Sequence, residues 1–391
     1  MRGLIVRHRF DIQPGTLLRA ILEAPGACPR EEGRRLEAMW SSDADALACL
    51  SVRSGLDLML RCLELPEGSE IVTSAVTIPS MADILRHHGL VPVPVDLNLS
   101  TLAVEPRELE RAVTPRTRAI LVAHLFGSRM PMDAVLEVAG RLGVPVWEDC
   151  AQAFDGPGFT GHEGARVSFF SFGPIKTCTA LGGALLRVRD RPLLARMREL
   201  QEVYPLQPSL EFAGRCLKTL VALGASHRTV LAILVRLCQL ARIDVDEAFN
   251  APGRSFPRQA FFPAIRRRPC GAMLRLLRRR LEEFDPEDLR RRESVRSAFV
   301  RRLPERLAVP GRQARRHTYW LLPVLSASRE LLPAMRRAGF DATRGTSSLT
   351  CLDPKPERCA RMMQQILYLP VHPDLTPDEL DRLFKVLVCG G

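Results

Sequence analysis

The sequence predicts an α/β fold with a mainly parallel central sheet, because helical segments alternate with short apolar runs. Helical spacing of apolar residues covers 54–65, 78–89, 105–115 and 132–143, while strand-like runs cover 70–76, 91–97, 118–127 and 144–150. Gly89 and Gly143 stand where two of the helices are expected to end. This alternation is typical of right-handed βαβ units. At 391 residues, the chain is long enough for two domains.

Polar residues follow the fourth strand-like run, VPVWEDC, at Glu148, Asp149 and Gln152. Ligands of parallel α/β sheets bind beyond the carboxyl ends of the strands, so these side chains are candidates for a site. An acid just past a buried strand can equally cap the following turn. The run therefore indicates a site without proving one.

The next run, SFFSFGPIKTCTALGGALL, contains Lys176, one of only four lysines among 56 basic residues. A lysine in an apolar, glycine-bounded stretch is unusual unless it is paired or chemically used. An amine after one strand and an acid after its neighbour fit pyridoxal phosphate: the amine forms a Schiff base and the carboxylate holds the pyridinium proton. An arginine cannot replace this lysine, because its guanidinium is delocalised and always charged.

The net charge of +12 is concentrated in one segment, since residues 254–316 contain 19 arginines and seven acids. These arginines form either a solvated face or a docking face for an acidic carrier, a phosphorylated substrate or an anionic membrane. Nucleic acid is not expected, because no aromatic residues interleave with the charges.

The other compositional signals concern the compartment. Eleven cysteines without a CxxC pair predict reduced thiols in a cytoplasm and no metal site. We expect no signal peptide, because charged residues interrupt the first apolar stretch, and no membrane span.

Three segments resemble the DegT/StrS-type family of sugar aminotransferases, which are pyridoxal-phosphate enzymes of fold type I. They are VAHLFGSRMPMDAVLEVAGRLGVPVWEDCAQAFDG, the lysine run SFFSFGPIKTCTALGGALL, and LYLPVHPDLTPDELDRLF near the C-terminus. The resemblance covers about residues 45–190 and resumes from about 317. It implies a large domain with a mainly parallel sheet, a smaller C-terminal α+β domain, and pyridoxal 5'-phosphate as the cofactor.

The resemblance also implies site roles. Lys176 would form the Schiff base, Asp149 would pair with the pyridine nitrogen, and Gln152 would lie on the side of the ring's phenolic oxygen. Ser171 would offer its hydroxyl to the phosphate. The turn Ser54–Gly55–Leu56 would open a helix whose free N–H groups bind the phosphate dianion.

The chain departs from the family pattern in several places. Leu56 stands where the family has a threonine, and Val76–Ile78 offers no aromatic residue to cover the cofactor ring. The family's Asn-Tyr-Arg stretch, which reaches the neighbouring subunit's site, has no counterpart. Its region holds 212–249, predicted as two apolar helices with Ser226 as a possible N-cap. This insert is expected to form a dimer interface, a hydrophobic substrate channel or a membrane-facing element. His317 matches a position near the active-site entrance, or is an ordinary histidine at a strand edge.

These observations predict a homodimeric aminotransferase with its site at the interface. We expect a large domain at 1–275, which includes an apolar insert at about 205–250, and a small domain at 276–391 with arginine-rich linking helices. The amino group would pass from glutamate to a keto or aldehyde acceptor such as a nucleotide-linked keto-sugar or a natural-product intermediate. The alternative is a pyridoxal-phosphate-binding protein without transaminase activity that presents a regulatory or scaffolding surface.

Overall fold

The computed structural model describes residues 5–6, 10–225, 256, 259–344 and 349–389. The helices within these residues are α1 Pro14–Leu22, α2 Pro29–Trp40, α3 Val52–Leu63, α4 Pro79–His87, α5 Pro106–Ala112, α6 Asp133–Leu142, α7 Arg191–Glu202, α8 Ser209–Ala225, α9 Phe261–Ile265, α10 Gly271–Glu282, α11 Pro286–Arg302, α12 Leu331–Arg337, α13 Glu357–Gln365 and α14 Pro377–Cys389.

The strands described are mostly short. They are β1 Ala46–Cys49, β2 Glu70–Ser74, β3 Val76–Thr77, β4 Val91–Val95, β5 Leu97–Asn98, β6 Ala103–Val104, β7 Thr117–Ala123, β8 Ser128–Arg129, β9 Val146–Asp149, β10 Val167–Ser171, β11 Ala184–Val188, β12 Arg316–His317, β13 Pro323–Leu325, β14 Thr350–Cys351 and β15 Ile366–Tyr368.

Seven strands form the central sheet in the order β1-β11-β10-β9-β7-β2-β4. The pairs from β10 through β9, β7 and β2 to β4 are all parallel, and only β11 runs against its neighbours. The predicted α/β class and the mainly parallel sheet are therefore confirmed. Helix α6 ends as expected, with Gly143 in the left-handed region at φ 67°.

Helices cover both faces of the sheet and position its strand ends. Helix α3 packs on one face with Leu56, Met59 and their neighbours in an apolar cluster with Phe169. Helices α2 and α10 cover the other face, where Trp40, Phe170 and Leu277 belong to one cluster. With apolar layers on both sides, the residues that end each strand lie together at one edge of the sheet.

A separate apolar cluster in the C-terminal part joins Phe299 in α11 with Val324, Leu367 and Leu383. Helix α10 instead belongs to the core of the large sheet, so the expected boundary between residues 275 and 276 falls inside that helix. We propose instead that the smaller unit begins in α11.

Only the first predicted helix of the apolar insert is described, as α8. The second predicted helix and its N-cap, Ser226, lie outside the described residues. No helix in the described part of the chain is long and apolar enough to cross a lipid bilayer.

Candidate active site

The sheet edge brings the predicted acid and lysine runs together. Asp149 ends β9 and is in register with Ala123 of β7 on one side and Phe169 of β10 on the other. Strand β10 then ends at Ser171, and a turn that bonds the Lys176 amide to the Gly173 carbonyl leads to the lysine. The candidate catalytic pair therefore follows adjacent parallel strands.

The carboxylate of Asp149 is only partly used by the protein. Oδ1 accepts a hydrogen bond from the Ala151 N–H at 2.9 Å, which is the turn-cap role considered from the sequence. Oδ2 bonds to no other residue in the described ranges, so it can accept a hydrogen bond from a ligand. Burial raises the pKa of Asp149, although Lys176 and His124 oppose this rise electrostatically.

His124, Glu148 and Cys150 form a buried cluster behind Asp149 whose ligand atoms lie within 4.8 Å of one another. His124 Nδ1 accepts from the Met130 N–H, so Nε2 carries the proton that it donates to Glu148 at 2.8 Å. Burial raises the pKa of Glu148, but the bonds from His124, the His162 N–H and Ser168 outweigh it and hold the value at about 2. The imidazole of His124 and the carboxylate of Glu148 are therefore both satisfied by hydrogen bonds within the protein.

The side chain of Lys176 is partly buried and has no hydrogen bond or ion pair with the described residues. Its Nζ lies 4.0 Å from the centroid of the Trp320 ring. The indole N–H of Trp320 donates to the Ile175 carbonyl at 2.8 Å, which holds the ring beside the lysine. Burial is the main reason that the pKa of Lys176 falls to about 8, with a further lowering by Arg53 and an opposing effect of Asp149. The amine is thus available as a nucleophile near neutral pH.

Residues distant in sequence hold the loop that follows Lys176. The Cys178 N–H donates to Asp11 Oδ2 at 2.7 Å, and Arg280 donates to the carbonyls of Thr179 and Asp11. Arg292 donates to Thr177 Oγ1 at 2.9 Å. Cys178 has a φ of 57°, a strained value for a residue with a side chain, and these bonds stabilise it.

The predicted phosphate turn starts earlier in the chain than the sequence suggested. Helix α3 begins at Val52, and Ser51 caps it by accepting the Ser54 N–H at 3.1 Å. The Gly55 amide donates to the Ser51 carbonyl, so the amides of Ser54 and Gly55 are already occupied.

The side chains of this turn are also committed to packing. Leu56 is fully buried in the core, and a Cβ on Gly55 would lie 2.7 Å from Leu186. Among the described residues, the amides of this helix end that donate to no acceptor belong to Val52 and Arg53. The binding of phosphate by Ser54, Gly55 and Leu56 stays a prediction. Ser171, in contrast, ends its strand with a hydroxyl that bonds to no described residue.

Gln152 connects the site to the loop after β7, because its Oε1 accepts the Phe126 N–H at 2.9 Å. The next residue, Gly127, has a φ of 96°, and a Cβ there would lie 2.5 Å from the Trp320 backbone nitrogen. This close approach brings Trp320 to the sheet edge. The side-chain nitrogen of Gln152 has no partner within the described residues.

A small cavity lies beside Asp149 at the ends of β2 and β7. Its lining includes Thr73, Thr77, Ala123 and Leu352 besides Asp149 itself. The Thr73 hydroxyl is buried without a hydrogen-bond partner. Strand β3, which carries Val76 and Thr77, pairs with β14, and the side chains that line the cavity are aliphatic or polar.

His317 lies in β12, which pairs with β8. His317 Nδ1 accepts the Tyr319 N–H at 2.9 Å, and its ring stacks on Tyr319. Burial lowers the pKa of His317 to about 3, so the ring stays neutral. This supports the interpretation as an ordinary buried histidine.

The arginines of the basic segment that lie on α10 are neither a solvated face nor a docking face. Arg278 pairs with Glu32 and Glu282, Arg279 with Glu23, and Arg280 with Asp11. Their side chains are only 15–22% exposed. Both interpretations of this triplet are therefore wrong, because its charge is used inside the protein to join α10 to α1, α2 and the N-terminal segment.

Comparison with known proteins identifies the region that contains these residues. Residues 34–208 match the family model described as the DegT/DnrJ/EryC1/StrS aminotransferase family. This stretch belongs to that family. The pyridoxal-phosphate-dependent aminotransferase class and the cofactor expected from the sequence are thereby confirmed.

Solved structures of low sequence identity share the fold of this aminotransferase along nearly its whole length. The aminotransferase TlmJ from Streptoalloteichus hindustanus is 20% identical with a TM-score of 0.72, and each chain is covered completely. Helicobacter pylori PseC, an aminotransferase of pseudoaminic acid biosynthesis, is 15% identical with a TM-score of 0.69, covering 100% of this chain and 99% of its own. DesI, solved in the presence of its TDP-sugar product, is 18% identical with a TM-score of 0.66, covering 100% and 93%. The fold type I architecture is confirmed by this likeness.

The residues present in the aminotransferase fit its cofactor. Lys176 Nζ, Asp149 Oδ2 and the Ser171 hydroxyl are three polar groups left without hydrogen-bond partners in the described structure, and they match an aldehyde, a pyridine nitrogen and a phosphate. No sequence pattern indicated that Trp320, Asp11, Arg292 and Arg53 would be neighbours of this site. Of these four residues, only Trp320 is of a type that is rare in this sequence, because the chain has three tryptophans. That rarity could have drawn attention to it.

Proposed function

We propose that the enzyme transfers an amino group from glutamate to the carbonyl of a nucleotide-linked keto-sugar or a similar natural-product intermediate, with Lys176 and Asp149 as its catalytic residues. The observation that carries the proposal is the placement of a free amine and a half-used carboxylate after adjacent parallel strands, β10 and β9. DesI, which was solved in the presence of its TDP-sugar product, and PseC, an aminotransferase of pseudoaminic acid biosynthesis, support the sugar class of acceptor.

The bound cofactor supplies an aldehyde for an amine and a ring that accepts electrons from the donor's α-carbon. Lys176 Nζ would hold the cofactor at its aldehyde, and the neutral amine that this requires is accessible because the pKa of Lys176 is about 8. The same nitrogen would move a proton to and from the donor's α-carbon as general base and acid. Asp149 Oδ2 would hold the ring nitrogen by accepting a hydrogen bond from its N–H. Oδ1, bonded to Ala151, fixes the orientation of the carboxylate.

The test is a half-reaction. Purified enzyme loaded with pyridoxal phosphate is mixed with glutamate alone, and absorbance follows loss of the lysine-bound cofactor while 2-oxoglutarate is assayed separately. Stoichiometric 2-oxoglutarate supports the proposal. A bound cofactor that never reacts with glutamate or other amino acids would favour the alternative, a binding protein without transaminase activity. That alternative has no support from the arginine triplet 278–280, which is paired internally.

We also propose a homodimer, supported by an apolar surface on two adjoining helices. Leu22 of α1 is 80% exposed, and Leu210 and Val221 of α8 are 84% and 66% exposed. Leucines at such exposure are expected to be covered by a second subunit. Sedimentation equilibrium tests this: a monomer at all concentrations would contradict the proposal. The free thiols of the described cysteines support the predicted cytoplasmic location.

A further inference from the structure

Arg53, in the first turn of α3, is a cation without a counter-ion in the described structure. Its guanidinium carbon lies 4.8 Å above the ring of Phe256, and it makes no hydrogen bond or ion pair with any residue in the described ranges. Most arginines near the sheet are paired, as Arg187 is with Asp43 and Asp45. Burial lowers the pKa of Arg53 to about 10. A nearby anion would have raised this pKa again, so the described protein offers no group that offsets the loss of water around the charge.

The position of Arg53 follows from strand register. Cys49, which ends β1, pairs with Ala184 of β11, and Ala184 pairs with Ser171 at the end of β10. The chain runs from Cys49 through Ser51 directly into α3, so the first turn of this helix lies at the same sheet edge as Ser171. That turn carries the two free amides of Val52 and Arg53.

Arg53 also shares its surroundings with Lys176. Three effects act on the pKa of Lys176: burial lowers it, Asp149 raises it, and the guanidinium of Arg53 lowers it further. Two partly buried cations without an anion between them are unfavourable in the protein alone. An anionic group bound between them removes this penalty, and a phosphate accepts the forked bonds of a guanidinium especially well.

We propose that Arg53 binds the phosphate of pyridoxal phosphate, together with the free amides of the α3 turn and the Ser171 hydroxyl. Leu56 is fully buried and has no hydroxyl, so it contributes nothing to phosphate binding through its side chain. The ring of Phe256, 4.8 Å from the guanidinium carbon, restricts the side chain of Arg53, which lowers the entropy lost on binding. The inference rests on the proposed function because it requires the cofactor to be bound at Lys176.

The experiment compares two cofactor forms that differ only in the phosphate. Apo-enzyme, Arg53→Met and Arg53→Lys are titrated with pyridoxal phosphate and with pyridoxal, and dissociation constants are taken from tryptophan quenching. Met preserves the side-chain stem over Phe256 and removes the charge. We expect Arg53→Met to bind pyridoxal phosphate roughly 10- to 100-fold more weakly while pyridoxal affinity stays unchanged, with partial recovery in Arg53→Lys.

Arg61→Met provides the control, because Arg61 lies at the other end of α3 and donates to the Tyr204 hydroxyl. This variant should keep the wild-type preference for the phosphorylated form. Equal losses for both cofactor forms in Arg53→Met, or no loss in either, would overturn the inference. If the wild-type enzyme fails to bind either form at Lys176, the proposed function itself is wrong, which is a distinct result.

Discussion

The side-chain nitrogen of Lys176 lies 4.0 Å from the centre of the Trp320 ring, and the Trp320 indole N–H donates to the carbonyl of the residue before that lysine. One side chain therefore both orients the loop and stabilises the protonated amine. A cation over an aromatic face gains about 0.5–2 kcal/mol, depending on solvent exposure. Trp320 is thus a positioning residue for the free lysine.

Replacing Trp320 by leucine should lower the pKa of Lys176 by roughly 0.5–1 unit, because the charged form loses the ring. The pKa is obtained from the pH dependence of the rate at which apo-enzyme captures pyridoxal phosphate. Trp320→Phe retains an aromatic face but loses the bond to Ile175, so its profile should stay near that of the wild type. Identical profiles for the leucine and wild-type enzymes would show that the ring only fills space.

Lys176→Ala should abolish the covalent link to the cofactor. Borohydride reduction of the wild-type enzyme should place the pyridoxyl group on Lys176 alone, since this amine is uncharged far more often at neutral pH than an ordinary lysine. Peptide mapping checks the position. Lys218→Ala, on the exposed face of α8, is the matched control and should label normally. A reduced pyridoxyl group on Lys218, Lys355 or Lys385 would overturn the assignment.

Asp149→Asn separates the two functions of this carboxylate. Asparagine still accepts the Ala151 N–H, so the turn persists, but its amide cannot hold the ring proton. We expect the glutamate half-reaction to slow on the order of 100-fold or more in both Asp149→Asn and Asp149→Ala. Rapid-mixing absorbance measures the rate. A nearly normal rate in the asparagine variant alone would reduce Asp149 to a turn cap.

Lys176→Met should stabilise the apo-enzyme at pH 7. The pKa of Lys176 in the folded protein, about 8, lies below the usual value for lysine. Folding therefore costs free energy at any pH where Lys176 is protonated in both the folded and the unfolded protein. The penalty is complete below about pH 8 and is relieved as the pH rises towards 10.5. Urea unfolding should show a gain on the order of 2 kcal/mol at pH 7 that shrinks above pH 8. A constant difference across this range would mean that packing, not charge, causes the effect.

Arg278→Glu should destabilise the fold rather than change acceptor binding. Arg278 and Arg275 both pair with Glu32, whose side chain is only 3% exposed. Breaking a buried pair costs roughly 3–5 kcal/mol, and urea unfolding will measure it. Arg290→Glu is the control, because Arg290 is 61% exposed and, among the described residues, pairs only with Glu287 one turn away. Equal stability of the two variants would restore the view of α10 as a solvated face.

The contacts of Glu32 with Arg275 and Arg278 should also make the stability of the protein depend on pH. Desolvation opposes the shift, but the bonds from Arg275 and Arg278 lower the pKa of Glu32 below its ordinary value. Its contribution to stability is therefore present above about pH 4.5 and is lost as the pH falls through the folded-state pKa. In Glu32→Gln, the fall in stability below pH 4.5 should be shallower than in the wild type. Parallel profiles would exclude Glu32 as the group responsible.

The sequence was sufficient to predict the parts of the site that lie on periodic elements. The alternation of helices and apolar runs predicted the strands that end at Asp149 and lead to Lys176. The start of α3 was misjudged because Ser51, a capping residue one turn earlier, competes with the SGL turn for the helix end. Trp320, Asp11 and Arg292 approach from distant segments, and no local pattern encodes such contacts. Composition likewise shows how many arginines a segment has, but not that Glu32 and Glu23 lie opposite them.

The bonds from Asp11, Arg280 and Arg292 to the loop after Lys176 have a consequence for biosynthesis. They join the loop to the beginning of the chain, to α10 and to α11, across separations of 101 to 167 residues. Contacts of such long range form late in folding. During translation, the loop cannot reach its final shape until residue 292 of 391 has emerged from the ribosome. A nascent chain released before that point would contain Lys176 and all of residues 34–208, which match the family model. It would still lack the hydrogen bond from Arg292 that holds the loop of the proposed coenzyme pocket.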